Sequence, residues 1–187
     1  ARVLRFSNQV RVAVAIRRLQ HSGRIERAMV VDCDVHQGNG TAAIFAGDRR
    51  VFTISLHQLN NYPREKPPSA VDIDLEDQAG DEQYLGHLRR VLPRALERHR
   101  PHLLFYLAGA DPYYQDQLGG LALTMNGLRQ RDRFVVEAAL AAGTPVAVTL
   151  AGGYAYRVED TVAIHVNTVT AASEAILASG AAGGGTR

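Results

Sequence analysis

The sequence has one cysteine, Cys33, no tryptophan and one lysine, Lys66. A single cysteine excludes an internal disulfide and a zinc site built from several cysteines, so a metal would have to be held by histidines and carboxylates. No apolar run reaches the roughly 18 residues that a membrane helix needs. The N-terminal residues also lack the charged, apolar and small-residue regions of a signal peptide. We therefore predict a cytoplasmic protein with no membrane association.

A concentrated basic patch is also lacking. The net charge is +2, and the basic residues are nearly all arginines spread along the chain. The tightest group, Arg94, Arg98 and Arg100, shares a predicted helix with Glu97, which is typical of a solvated helix face. Nucleic-acid binding needs a clustered basic surface, so we predict no direct contact with nucleic acid.

What the sequence does contain is an alternation of strand-like and helix-like segments over 187 residues. This order is typical of an α/β domain with a mostly parallel sheet. We expect the domain to cover residues 1–178 and the Gly/Ala-rich residues 179–187 to form a flexible tail. The predicted strands are 27–32, 51–56, 71–75, 103–107 and 145–150, and the predicted helices are 9–20, 81–98, 124–142 and 158–178. Thr41 is expected to cap a further short helix, and Pro93 to kink or split the helix that contains it.

Three potential metal ligands follow one apolar strand. Asp32, Asp34 and His36 are two residues apart, so an extended chain places them on one face. Ligands of open α/β sheets bind beyond the carboxyl ends of the strands. The sequence therefore places these side chains where such folds keep their sites.

Other strands end in residues of the same kind. The strand at 103–107 leads to Asp111, the strand at 146–150 leads to Tyr154, and the strand at 51–54 leads to His57. Asp34, His36 and Asp111 together offer two carboxylates and one imidazole, which with an open fourth position is the arrangement of catalytic zinc. A second metal would want another carboxylate directly after His36, and the chain has none there, so we predict one metal.

Several of these residues also have simpler interpretations. Cys33 faces away from the ligands and is expected in the core, and His57 is expected to be a packed or hydrogen-bonded residue. Asp32 could support the metal ligands, help to hold a monovalent cation, or form hydrogen bonds at a strand end. These alternatives stay open at the level of the sequence.

Residues 32–41 (DCDVHQGNGT) resemble the zinc motif of histone deacetylases. Further matches to that family, in the same order, are TISLH at 53–57, AGAD at 108–111, DQLGG at 116–120 and LAGGY at 150–154. Gln37 and Asn39 make this motif resemble that of the class IV branch of the family and its bacterial relatives. The resemblance covers roughly residues 10–175, and it implies a three-layer arginase/deacetylase-like α/β fold that here lacks the family's N-terminal strands.

The resemblance implies a zinc-dependent deacetylase that hydrolyses the amide of an acylated lysine or a related acylated amine. Asp34, His36 and Asp111 would hold one zinc ion per chain. Tyr154 would donate a hydrogen bond to the oxyanion of the reaction.

It also implies supporting sites. Asp32, the side chain of Ser55 and the backbone oxygen of Leu56 would help to hold a structural monovalent cation, usually potassium. Tyr62 would line the mouth of an acyl-lysine channel, and Gly152 would lie along that channel.

One part of the family pattern does not occur in this sequence. The family takes its general base from a pair of adjacent histidines, and the chain has no such pair; by alignment it would fall just before Ala1. A fragment of a longer product, a frameshift at the 5′ end, or a decayed relative would each account for this. Two alternative functions therefore accompany the deacetylase prediction: an inactive metal-binding or interaction module, and an amidohydrolase of small acetylated amines such as polyamines.

Overall fold

A computed structural model of the chain describes residues 8–183, which contain five strands and five helices. The strands are β1 Ala28–Asp32, β2 Val51–Gln58, β3 Val71–Leu75, β4 Leu103–Ala108 and β5 Val146–Leu150. The helices are α1 Asn8–His21, α2 Asn39–Ile44, α3 Asp81–His99, α4 Met125–Ala141 and α5 Val158–Gly183. Every predicted strand and helix is present, with differences confined to the ends. None of the helices in this part of the chain is both long and apolar enough to cross a membrane.

All five strands are parallel, and their order in the sheet is β3-β2-β1-β4-β5. The last residue of β1, Asp32, is level with Ser55 of β2 on one side and with Leu107 of β4 on the other. The carboxyl ends of β1, β2 and β4 therefore lie next to one another at one edge of the sheet. This is the edge at which α/β folds bind their ligands.

Helices cover both faces of the sheet. Met29 and Val31 of β1 point into a core cluster with α3, α4 and α5, whereas Ala28 and Val30 point into a second cluster with α1. A strand buried on both faces reads as a continuous apolar run, and this explains why β1 contains no polar residue before Asp32. The α/β prediction with a parallel sheet is confirmed.

Two local expectations need correction. Helix α2 begins at Asn39 after Gly38, not at Thr41, because the backbone already turns at Gly38 and Thr41 is buried within the helix. Pro93 does not split α3, which runs unbroken and buries Leu88 and Leu92 against the sheet. This apolar packing outweighs the one backbone hydrogen bond that a proline removes.

The last helix extends further than the sequence indicated. Helix α5 ends at Gly183, beyond Ser179, where the tail was expected to begin. Residues 1–7 and 184–187 lie outside the described part of the chain.

Candidate metal centre

Three predicted ligands meet at the carboxyl edge of the sheet. Asp34 and His36 follow β1, and Asp111 follows the neighbouring strand β4. One ligand atom from each of these side chains lies within 4.8 Å of the other two. We call these three residues the metal triad. Parallel pairing of β1 with β4 brings together residues that are far apart in the sequence.

Hydrogen bonds fix both carboxylates of the triad. Asp34 Oδ2 accepts a hydrogen bond of 3.0 Å from the backbone N–H of Gly152. Asp111 Oδ1 accepts one of 2.9 Å from the backbone N–H of Val35. The remaining oxygens face the imidazole, since His36 Nδ1 lies 3.0 Å from Asp34 Oδ1 and 3.6 Å from Asp111 Oδ2. Backbone N–H groups thus hold one oxygen of Asp111 and both oxygens of Asp34, since Asp34 Oδ1 also accepts the backbone N–H of His36 at 3.0 Å.

The triad carries an excess of negative charge in a partly buried place. Hydrogen bonds to Asp111 and to Asp34 raise the pKa of His36 to about 10. Burial, reinforced by the charge of Asp34, raises the pKa of Asp111 to about 7. Burial also opposes ionisation of Asp34, yet hydrogen bonds from His36 and Gly152 lower its pKa. Two carboxylates that share a site and compete for protons in this way are a favourable environment for a cation.

The triad fits a zinc ion. Its donors are two carboxylates and one imidazole, a combination found in catalytic zinc sites that keep an open position. Asp111 is 1% exposed, whereas the side chain of His36 is 25% exposed, so the group is reachable from solvent on the histidine side. The backbone of Gly152 lies directly against the triad, because a Cβ atom on Gly152 would lie 1.8 Å from Asp111 Oδ2.

A second, smaller group lies behind the triad, at the ends of β1 and β2. Asp32 is 2% exposed, and its Oδ2 atom has no hydrogen-bond partner in the described chain. Burial and the nearby charge of Asp34 raise the pKa of Asp32 well above its usual value. Its register partner Ser55 is buried, and so is Leu56. A Cβ atom on Gly38 would lie 2.6 Å from Asp32 Oδ2, so the unpaired oxygen faces a space that only glycine leaves open. An unpaired buried carboxylate oxygen of this kind fits a cation.

The three remaining predicted residues lie at different distances from the triad. Gly152 is in direct contact with it. The ring of Tyr62 approaches the ring of His36 edge-on, with 6.4 Å between their centroids, and Tyr62 is 68% exposed. Tyr154 is 59% exposed, and its hydroxyl makes no hydrogen bond within residues 8–183. The structure therefore brings Gly152 and Tyr62 to the triad, whereas the side chain of Tyr154 is largely exposed.

Sequence reasoning assigned no role to Asp116, which the structure connects to Tyr154. Asp116 is buried, and its Oδ2 accepts a hydrogen bond of 2.5 Å from the backbone N–H of Tyr154. Its Oδ1 accepts hydrogen bonds from the backbone N–H groups of Leu118 and Gly119. In the sequence, an aspartate followed within four residues by two glycines indicates a turn that the aspartate side chain holds. That pattern does not reveal the hydrogen bond to Tyr154, which lies 38 residues away.

Cys33 and His57 are buried and packed, as the sequence predicted. Cys33 is fully buried in the core, and burial raises the pKa of its thiol to about 12. His57 is fully buried, with Nδ1 3.0 Å from Ser55 Oγ and Nε2 3.0 Å from Asp74 Oδ1.

The triad lies at the strand ends where the sequence motifs placed it. The family model of the histone deacetylase domain matches residues 6–170. The chain belongs to the histone deacetylase family.

Individual relatives agree with this membership. An uncharacterized protein of Picosynechococcus sp. is 44% identical over 154 residues, which cover 82% of this chain and 51% of that protein. A histone deacetylase-like amidohydrolase of Pseudomonas aeruginosa is 32% identical over 155 residues, covering 76% of this chain and 41% of that protein. The chain thus spans about half the length of these curated relatives.

A solved structure shares the fold of this histone deacetylase family member. The acetylpolyamine aminohydrolase of Burkholderia pseudomallei superposes with a TM-score of 0.73 at 22% identity, covering 89% of this chain and 49% of that chain. At this identity the likeness concerns the fold alone. It confirms the α/β architecture that the motifs implied.

Proposed function

We propose that this family member takes part in zinc-dependent hydrolysis of the amide bond of an acylated lysine or a related acylated amine. The observation that carries the proposal is the metal triad, two carboxylates and one imidazole that converge at the carboxyl edge of the sheet. Membership of the histone deacetylase family supports it.

Asp34, His36 and Asp111 would hold one zinc ion. When bound, zinc supplies a Lewis acid that polarises the acyl carbonyl and activates water. The backbone N–H groups of Gly152 and Val35 orient the two carboxylates through the oxygens that face away from His36. Such supporting hydrogen bonds fix ligand geometry and strengthen metal binding.

Tyr154 would stabilise the negative charge that develops on the carbonyl oxygen. It stands two residues after Gly152, which contacts the triad, and its side chain is free to turn toward a bound substrate. Asp116 holds its backbone N–H and so fixes the point from which the side chain extends. Loss of one such hydrogen-bond donor typically lowers the rate about 10²–10³-fold.

The entrance to the site would be formed by Tyr62 and Gly152. The exposed ring of Tyr62 stands beside His36, while Gly152 lies directly against Asp111 and Asp34. A narrow passage bounded by an aromatic ring and a glycine suits an acylated aliphatic amine chain. Both a protein lysine and a small polyamine present such a chain.

The buried group at Asp32, Ser55 and Leu56 would hold a monovalent cation such as potassium. Asp32 directly precedes the segment that carries Asp34 and His36, and its Oδ1 accepts the backbone N–H of Asp34. A cation there would satisfy the unpaired Oδ2 atom and stabilise the strand end behind the triad.

These 187 residues contain no pair of adjacent histidines that could act as the general base. A missing general base typically lowers the rate about 10²–10⁴-fold. A metal-binding module without hydrolytic activity is the second candidate that the sequence left open. That candidate predicts zinc binding, no amide hydrolysis, and no effect of Tyr154→Phe.

Metal analysis and substrate assays of the 187-residue chain would test the proposal. We expect one zinc per chain after dialysis, loss of that zinc in His36→Ala, and retention in the matched surface variant His87→Ala. Hydrolysis of an acetyl-lysine peptide and of a monoacetylated diamine would then be compared, with Tyr154→Phe as the test of the oxyanion donor. A folded chain that retains no stoichiometric zinc would refute the proposal.

A further inference from the structure

The core of the molecule contains a fully buried arginine. Arg131 lies on α4, is 0% exposed, and comes first by volume among the fully buried side chains of the described residues. Charged side chains are almost never fully buried unless they are paired. The partner of Arg131 is Asp132, whose Oδ1 atom lies 2.9 Å from Nε and 2.8 Å from Nη2.

The ion pair accounts for only one side of the guanidinium. On the other side, Nη1 donates hydrogen bonds to the backbone carbonyl of Gly109 at 2.8 Å and to that of Cys33 at 3.2 Å. Cys33 directly precedes Asp34, and Gly109 stands two residues before Asp111. One nitrogen atom therefore joins the two backbone segments that carry both carboxylates of the metal triad.

These two segments are in close contact where Arg131 joins them. A Cβ atom on Gly109 would lie 2.6 Å from the Cα atom of Asp34 and 3.0 Å from the carbonyl oxygen of Cys33. It would also lie 2.6 Å from Asp111 Oδ1. A small change in the spacing of the segments would thus move Asp34 and Asp111 relative to each other.

Asp132, the partner of Arg131, is itself fixed by hydrogen bonds from two other elements. Its Oδ1 accepts a hydrogen bond from the hydroxyl of Tyr106 on β4, and its Oδ2 accepts one of 2.6 Å from Thr168 Oγ1 on α5. Asp132 itself is on α4 and is 1% exposed. A buried carboxylate fixed in this way leaves Arg131 one orientation, with Nη1 directed at the strand ends.

We infer that Arg131 is a positioning residue of the metal centre, which sets the separation of Asp34 and Asp111 by holding the carbonyls of Cys33 and Gly109. The inference rests on the proposed function, because it assumes that these carboxylates bind a metal. Arg131 touches neither the metal nor the substrate. Its role is to keep two independent strand ends in the spacing that one ion requires.

The substitution Arg131→Lys tests this role. Lysine keeps the charge next to Asp132 but lacks the planar fork that reaches the ion pair and both carbonyls at once. We expect zinc affinity, measured by competition with a chromogenic chelator, to fall about 10- to 100-fold, as for other residues that orient metal ligands. The visible absorption bands of the cobalt-substituted protein, which report ligand geometry, should shift as well.

Two matched variants separate positioning from stability. Val135→Ala removes two buried methyl groups from the same helix without touching the hydrogen-bond network of Arg131, so it should lower the unfolding temperature and leave zinc affinity and the cobalt spectrum unchanged. Arg129→Lys makes the same chemical change on the exposed part of the same helix, where Arg129 pairs with Glu174. We expect it to change neither property.

The possible outcomes are distinct. If Arg131→Lys lowers stability as Val135→Ala does but keeps native zinc affinity and a native cobalt spectrum, the positioning role is wrong and the proposed function stands. If the unmodified chain binds no zinc, both the proposed function and this inference are wrong. Should Arg131→Lys not fold, the double variant R131Q/D132N, which removes both buried charges, is measured in the same way. Native zinc affinity in that variant would equally overturn the role.

Discussion

Replacing Gly152 by alanine is the sharpest test of the metal triad, because it adds one carbon atom at a known place. The new Cβ atom would lie 1.8 Å from Asp111 Oδ2, 2.6 Å from Asp111 Cγ and 2.8 Å from Asp34 Oδ2. The backbone of Gly152 does not adopt the left-handed conformation that excludes alanine. The whole effect therefore comes from the contact with the two carboxylates.

The expected magnitude follows from the overlap. The Asp111 carboxylate, or the segment that contains Gly152, would have to move by roughly 1 Å or more to reach an ordinary contact distance. Overpacking of this kind costs about 1–3 kcal/mol of stability. Displacement of a reacting group by about 1 Å can lower a rate 10²-fold, and we expect a loss of zinc affinity of about the same size.

The assay compares Gly152→Ala with Gly86→Ala. Gly86 lies within α3, and a Cβ atom there would meet nothing within 4 Å. Because alanine favours a helix over glycine by about 1 kcal/mol, Gly86→Ala should be neutral or stabilising and should keep native zinc affinity. A folded Gly152→Ala variant that binds zinc as tightly as the unmodified chain would refute the placement of the metal against Asp111 and Asp34.

Three further predictions concern the reaction and the stability of the fold. If a missing general base limits hydrolysis, added imidazole should raise the rate of the unmodified chain in an amide-hydrolysis assay and raise it far less in Tyr154→Phe; equal rescue in both would contradict the role of Tyr154. Thr124 caps α4 by accepting the backbone N–H of Gly127, so Thr124→Ala should cost about 1 kcal/mol in chemical denaturation, and an unchanged midpoint would show that the cap is dispensable. Hydrogen bonds from Arg50 hold the pKa of Asp48 well below its usual range, so this carboxylate stabilises the fold above about pH 4 and loses that contribution as the pH falls further. The stability difference between Asp48→Asn and the unmodified chain, about 1 kcal/mol or less at neutral pH, should therefore shrink toward pH 2 in thermal unfolding, and a difference that is constant with pH would exclude this cause.

The positions of the main elements and of the metal triad could be read from the sequence. Apolar runs that end in Asp34, His36 and Asp111 are visible without a structure, and parallel strands bring their carboxyl ends to one edge. The pattern of β1, which has no polar residue before Asp32, is also that of a strand buried on both faces. These features depend on local periodicity and on a general rule of α/β sheets, so they need no knowledge of which strand lies next to which.

The tertiary structure alone decided which residues support the triad. The pairing of β1 with β4 places the carbonyls of Cys33 and Gly109 within reach of one guanidinium, and only long-range packing reveals that Arg131 is fully buried. In the sequence Arg131 was one of many arginines, although it occupies the buried face of α4. The contact between Gly152 and Asp111 likewise joins two loops that follow different strands. Strand ends and helix faces are encoded locally, whereas hydrogen bonds between distant segments exist only after the sheet order has been set.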